Sequence, residues 1–406
     1  MRNLALWSAA SALALSALGA VSAYAAVPAK TAGSAPPPIA TYWMDVSTTS
    51  GFGAGMMGGG RPSLGAVMSM MRGGGGGVGH TLALTLASRQ TAPAPAASHV
   101  IPAGLQMGPS LPLLAPQQVT AEPETSTPGM PQQFQRPKGR MLIYWGCGEH
   151  AGPGQPMVID FSKVAAGQIP PGFAQLAAMA HAVQRPHSAP GFGEWPNRQD
   201  SRAVPVTGSL VGAHRIEANY APPMSFSLGA GQDFMPGLGL HEAGLSPAGA
   251  DRLAWQPVPQ ATGYALAMFG AGQSGDVIMW SSGKGMPALD YLPPTEVRRL
   301  VAAGQVLPPS ASTCAVPAEV ASASPAGMIT MIGYGPEADF SDSPRAPKWV
   351  AKVRYKTTAS LIRGMPRMGA GMAQETGQAG EPSQPPPPPR RRGLGGLLGG
   401  IVPIPH

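Results

Sequence analysis

Methionine and histidine are the residues most suggestively grouped for chemistry in this chain. Five of its 22 methionines, Met56, Met57, Met68, Met70 and Met71, fall in one Gly-rich stretch, with His80 just beyond it. Thioethers and an imidazole are soft ligands of the kind Cu(I) prefers, so the stretch is a candidate periplasmic copper site. The competing reading is packing, because methionine is unbranched and adapts its shape to irregular gaps. Cys147-Gly148-Glu149-His150 adds a thiol, a carboxylate and an imidazole within four residues. Cys314 is the only other cysteine, so an oxidising compartment allows one intrachain disulfide, Cys147 to Cys314, which would take that thiol out of metal chemistry. Two buried thiols are the alternative.

Catalytic signatures are incomplete. His241-Glu242 opens like the helix of a zinc protease, but Leu245 stands where the second histidine is needed. Gly272-Gln273-Ser274-Gly275 breaks the spacing of a nucleophile elbow. The glycines from Gly73 to Gly77 lack the Lys-Ser/Thr ending of a phosphate loop. No catalytic residue is assigned, and the sequence reads as non-enzymatic. The other alternative is a carbohydrate-active enzyme or carbohydrate-binding module, in which aromatic rings stack on sugars. Trp195, set in a predicted loop between Gly193-Glu194 and Pro196-Asn197, is the candidate exposed binding aromatic. Anchoring that loop is the second role open to it.

The first residues give an address. Arg2, an apolar run from Leu4 to Val21 and Ala23-Tyr24-Ala25 predict a cleavable signal peptide over 1–25 and a mature start near Ala26. Pro28 and the modest length of the run argue against a membrane anchor. The protein is therefore expected to be periplasmic or secreted. Gly 55 and Pro 48 make up about a quarter of the 406 residues, so long loops are expected. The net charge of +7 sits on a chain with only 12% charged residues and forms no basic stripe, which argues against nucleic acid and leaves an envelope protein or an acidic surface polymer as partner.

Hydrophobic periodicity then supplies the elements. Ile39 to Val46 and Thr81 to Leu86 alternate with period two, and Arg140 to Trp145 followed by Met157 to Phe161 reads as a hairpin. Ala203 to Thr207, Ser209 to Ile216 and Met224 to Leu228 are further short extended runs, and Phe173 to Val183 is Ala-rich and predicts a short helix. In the second half, Arg252 to Val258 and Tyr264 to Phe269 are alternating strands, and Val277 to Trp280, Thr313 to Val316 and Trp349 to Tyr355 are later ones. Thr295 to Gly304 carries an acidic first turn and a Gly stop and predicts a helix.

The pattern Leu253-x-Trp255-x-Pro257-Val258 followed by Ala261-Thr262-Gly263-Tyr264-x-Leu266 resembles the second and third strands of fibronectin type III-like domains. The resemblance implies a β-sandwich in which Trp255 fills the gap between two packed sheets. The helix at 295–304 departs from that pattern. Tyr42-Trp43-Met44-Asp45, Gly139 to Gly148, Gly193 to Asn197 and Trp280-Ser281-Ser282 also resemble blocks of a group of exported bacterial proteins of unassigned function, which implies no activity.

The expected organisation is mainly β, with one or two immunoglobulin- or fibronectin type III-like sandwiches, long Gly/Pro-rich loops and disordered tails. A signal peptide (1–25) and a disordered linker (26–38) precede a β-rich domain (39–247) and the fibronectin type III-like sandwich (248–358). The tail (359–406) is expected to be disordered, with a polyproline stretch and the triplet Arg390, Arg391, Arg392 that could touch an anionic membrane. The expected function is that of an exported periplasmic or cell-envelope protein mediating binding or structural interactions.

Overall fold

A computed structural model describes residues 36–52, 54, 77–116, 139–161, 163, 184, 189–272 and 275–364. The segment expected to be a signal peptide, most of the Met-rich stretch, the Ala-rich run at 173–183 and the segment with Arg390 to Arg392 lie outside the described residues.

Strands dominate. The alternating segments become β1 (Ala40–Gly51) and β2 (Gly79–Ser88), whose even-numbered residues Tyr42, Met44, Val46, Leu82, Leu84 and Leu86 are buried. The period of two places all six on one face, and antiparallel register sets Tyr42 opposite Leu86 and Met44 opposite Leu84. The first half adds β3 (Ala97–Val100), β4 (Ser110–Pro112), β5 (Arg140–Trp145), β6 (Met157–Asp160) and β7 (Gly191–Trp195). Further on come β8 (Gly212–Ala218), β9 (Met224–Leu228), β10 (His241–Leu245) and β11 (Asp251–Ala254). The chain continues through β12 (Gly263–Ala271), β13 (Val277–Ser281), helix α1 (Pro294–Ala302) and β14 (Thr313–Val316). A short helix α2 (Ala318–Ala323) precedes the two longest strands, β15 (Gly327–Ser341) and β16 (Trp349–Arg363).

Nine of these strands form one sheet in the order β6-β5-β13-β12-β15-β16-β1-β2-β7. Its pairs are antiparallel except for β13 with β5 and β16 with β1. Two smaller sheets, β4-β3-β8-β9 and β10-β11-β14, contribute to the same hydrophobic core as one face of the large sheet. Phe226 of β9 stacks on Phe340 of β15 with centroids 4.8 Å apart. Trp255, just past β11, meets Tyr264 of β12 edge-on at 5.7 Å, and Tyr264 Oη accepts the Val258 N–H at 2.7 Å. Consecutive strands β11 and β12 therefore belong to different sheets, with Trp255 between them.

Helix α1 covers part of the large sheet's other face. Val297 and Leu300 pack with Leu292 and Val306 against Ala265, Ile332 and Tyr334. Proline at the first helical position and Glu296 in the first turn suit its N-terminus. At the other end Gly304, at φ +66°, donates to Val301 O while Gln305 donates to Leu300 O, a Schellman stop that satisfies two helix carbonyls.

The structure corrects several expectations. A boundary at 247/248 does not divide the fold, because β1, β2, β5, β6 and β7 share the large sheet with β12, β13, β15 and β16. The last strand runs on to Arg363, so 359–363 are part of the sheet instead of a tail. Of the run 203–207 only Val204 pairs, in a single bridge to His80. Trp195 ends a strand, not a loop, and is 2% exposed. The glycines of β7 are required by close approach: a Cβ on Gly191 would collide with Gln90 O and fall 2.6 Å from the Tyr220 ring, and one on Gly193 would fall 2.7 Å from the Tyr220 hydroxyl.

Trp255→Ala would open a cavity between the sheets and lower stability by about 3–5 kcal/mol, whereas Leu245→Ala on the exposed strand β10 would change it by less than about 0.5 kcal/mol. Urea denaturation followed by fluorescence and circular dichroism checks both.

Candidate functional site

The second face of the large sheet gathers charge beside helix α1. On β16 the spacing Lys352-x-Arg354-x-Lys356 sets three cations on one side of the strand. Parallel register places Trp43 beside Lys352 and Asp45 beside Arg354 on β1, and antiparallel register brings Glu337 and Asp339 of β15 opposite Arg354 and Lys352. The loop between β13 and α1 supplies Asp290 and Tyr291.

Arg354 is the centre. Its Nε and Nη2 donate to the two Asp45 carboxylate oxygens at 2.6 and 2.5 Å, and Nη1 donates to Gln184 O at 2.7 Å. The guanidinium lies 4.5 Å from the Trp43 ring centre and 4.7 Å from that of Tyr291, so the cation has two aromatic neighbours as well as the Asp45 carboxylate. Lys356 Nζ sits 4.2 Å from the Tyr291 ring centre and 3.4 Å from Asp290, while Lys352 pairs with Glu337 and, at 3.2 Å, with Asp339. Burial pushes both lysines below the ordinary ammonium range, helped at Lys352 by the charge of Arg354 and opposed at Lys356 by Asp290. Burial also drives the Tyr291 phenol well upward, with Asp45 adding to the rise. Titratable groups perturbed together in this way mark a candidate site.

Chemically, this is a holding arrangement. Arg354 uses donors on all three of its nitrogens. The lysine side chains are 19% and 17% exposed, and an ammonium carries three N–H donors, so the rim can still offer donors to an acceptor group beside the flat face of Trp43. The spacing of the three cations is legible in the sequence; the aromatic and acidic partners come from distant segments and are not.

The residues singled out from sequence are dispersed. Met56, Met57, Met68, Met70 and Met71 lie outside the described residues. His80 is the second residue of β2, opposite Thr48, and stacks on Phe234 at 3.9 Å; its Nδ1 and the Thr48 hydroxyl have no hydrogen-bond partner among the described residues. No group of three or more His, Cys, Asp or Glu side chains among the described residues is placed to hold a metal ion. Trp195 is not an exposed binding aromatic: it is buried against the core, and its indole N–H has no hydrogen-bond partner among the described residues. His241 and Glu242 are on strand β10, not on a helix.

Cys147 and Cys314 are bonded to each other across 167 residues. The exposed Cys147 follows β5, and the buried Cys314 is in β14, so the bond ties the large sheet to the three-stranded one. Around it, Gly148 N donates to Ala315 O at 3.0 Å and Ala318 N to Glu149 O at 3.1 Å. Glu319 accepts from Ala151 N at 2.8 Å and pairs with His150 at 3.0 Å, contacts that hold its carboxyl below the usual range. Residues 146–151 thus form a strap from the end of β5 to β14 and α2. At the start of β11, Asp251 and Arg363 line an open cleft of about 590 Å³ beside Leu245, but Arg363 already donates to Asp251 at 2.6 Å and to the carbonyls of Ala321 and Ser324 at the end of α2.

A buried pair that sequence reasoning missed joins β3 to β8. Tyr42 Oη is 2.8 Å from His99 Nδ1, His99 Nε2 is 2.9 Å from His214 Nδ1, and His214 Nε2 is 2.7 Å from Leu210 O. Both histidines alternate correctly with apolar neighbours, which was the available signal, but a histidine in a short strand is indistinguishable locally from a surface one.

No family model, curated protein or solved structure matches the chain.

Asp45→Asn leaves the buried Arg354 charge without its counterion and is expected to destabilise the fold by about 3–5 kcal/mol. Replacing both cysteines with serine releases the long closed loop and is expected to lower stability by up to about 5 kcal/mol. Equilibrium guanidinium unfolding of each variant measures these differences.

Proposed function

We propose that this chain is an exported, non-enzymatic envelope protein that binds a surface polymer through the second face of its large sheet. The observation that carries this reading is the row Lys352, Arg354, Lys356 held between Trp43 and Tyr291. A flat indole beside fixed ammonium donors suits a polymer bearing both ring faces and acidic or hydroxyl oxygens. The disulfide between Cys147 and Cys314 supports an oxidising location, in keeping with the signal-like first 25 residues.

The scaffold reading within this proposal is a fibronectin type III-like sandwich over residues 241–363. Its support is the strand plan: β10-β11-β14 faces a sheet that includes β13-β12-β15-β16, and the Leu-x-Trp and Tyr-x-Leu strands sit in opposite layers. In this reading the flanking strands β5, β6 and β1, β2, β7 widen one layer of the sandwich and create the face on which Trp43 and Arg354 meet.

Two measurements test the proposal. N-terminal sequencing of protein recovered from the cell envelope is expected to begin at Ala26; an intact Met1 in the cytosol would reject export. Co-sedimentation of the full mature chain with isolated acidic cell-wall polysaccharide is expected to weaken about tenfold for Trp43→Ala, the equivalent of about 1.4 kcal/mol from lost ring contacts. Equal sedimentation of the parent and a folded Trp43→Ala variant would remove this face from the binding site. The same assay on a chain ending at residue 384 separates the face from the basic triplet at 390–392, since binding that disappears with the tail would assign the contact there.

A further inference from the structure

With both rings neutral, the buried hydrogen-bond chain from Tyr42 to Leu210 admits one arrangement of protons in which each of its three hydrogen bonds has a donor and an acceptor. A carbonyl can only accept, so His214 Nε2 carries the proton that meets Leu210 O. A neutral His214 then presents Nδ1 as acceptor, His99 must donate from Nε2, and His99 Nδ1 accepts the Tyr42 hydroxyl proton. In this arrangement both rings are Nε2–H tautomers. The chain passes from β1 of the large sheet through β3 and β8 of the four-stranded sheet, so it is also a polar fastening between the two layers.

Among the described residues no carboxylate hydrogen-bonds to either ring. Tyr42 and His99 are 0% exposed and His214 is 1% exposed. Phe226 of β9 stacks on His214 at 5.2 Å and is itself stacked on Phe340 of β15. The carboxylates of the packed elements face elsewhere: Asp45 on β1 pairs with Arg354, Asp339 on β15 pairs with Lys352, and Glu217 on β8 pairs with Arg215 at the surface. Asp233, which is one peptide unit away, accepts from the Leu210 N–H and the Ser209 hydroxyl instead of from either ring. Adding a proton to either histidine forces Tyr42 to become an acceptor from His99, and its hydroxyl hydrogen then loses its partner.

We propose that Tyr42, His99 and His214 form an acid-sensitive latch, and that protonation of the histidines releases the four-stranded sheet from the large one. The sign follows from linkage. Burial holds both rings below their ordinary range, with His214 adding to the effect at His99, so between the ordinary histidine value of about 6.5 and the lowered folded values the opened state binds more protons. Stability of the layer is full above that window and falls as pH drops through it. Carboxylates ordinarily titrate lower, near about 4, so the window belongs to histidine. His80, which burial also lowers, stands on β2 beside Phe234 and remains unchanged in the variants below.

Amide hydrogen exchange of the full mature chain at about pH 7.5 and about pH 5.3, corrected for intrinsic rates, tests the latch. Exchange in β3, β8 and β9 is expected to accelerate at least about tenfold at the lower pH, with a smaller change in β12 and β15. Equal acceleration in all five strands, or none, overturns the proposal. The double variant His99→Gln, His214→Gln is expected to abolish the acceleration in β3, β8 and β9, and its persistence in a folded variant would overturn the assignment to these rings. If that variant does not fold, nitrogen-15 spectra of the natural protein decide: both rings should hold the Nε2–H tautomer without titrating in the closed state at about pH 5.3, and titration of either near about 6.5 without opening would overturn it. Polymer binding at pH 7.5 is a separate readout, so failure of the latch leaves the binding face unaffected.

Discussion

The parallel pairing of β1 with β16 sets the rest of this structure in place. Twelve residues of the earliest described strand, Ala40 to Gly51, run alongside Trp349 to Ser360 near the other end of the sequence. That register fixes both faces at once. On one side it sets Tyr42, Met44 and Val46 beside Ala351, Val353 and Tyr355, the surface on which the four-stranded sheet packs. On the other it sets Asp45 beside Arg354 and Trp43 beside Lys352. A slip by one residue would exchange the faces, placing an aspartate in the core and a tyrosine in the charged row.

Much of the chemistry that stands out in the residue list is used to hold layers together. The two cysteines join the large sheet to the three-stranded one through a strap that also engages α2. The two buried histidines join the large sheet to the four-stranded one. Arg363 closes the end of α2 against Asp251, and Arg354 is fixed by Asp45 between two rings. Among the described residues, the buried Arg354 and Arg363 each pair with a carboxylate and a carbonyl, which is the condition under which such burial is tolerated.

The strands with alternating apolar residues were readable from sequence because burial on one face imposes a period of two; β1, β2, β9 and β14 are of this kind, β5 and β12 were readable as compact apolar runs although their burial does not alternate, and the acidic first turn and Gly stop of α1 were as clear. The Trp255 and Tyr264 pattern also indicated the gap it occupies. β7 was not readable as a strand, since Gly191, Gly193 and Pro196 resemble a loop until Tyr220 is known to press on them. β15 was hidden by Gly333, Gly335 and Pro336, which accompany a register shift between Tyr334 and Glu337. The division into domains failed for a different reason: local sequence carries no record that residue 40 will pair with residue 349. The aromatic and acidic surroundings of Arg354 were lost for the same reason, although the alternating cations themselves could be seen.

The direction of the β1–β16 ladder has a mechanical meaning. Because the strands are parallel, the chain enters β1 at one end of the ladder and leaves β16 at the other. Tension between a tethered amino-terminal segment and a tethered carboxy-terminal one would therefore act along the strands, in shear, and load the whole row of interstrand bonds together. An antiparallel pair with both ends on one side would peel open bond by bond. A protein stretched between two anchorages would gain its resistance from this one junction, and the neighbouring layers would feel little of the force.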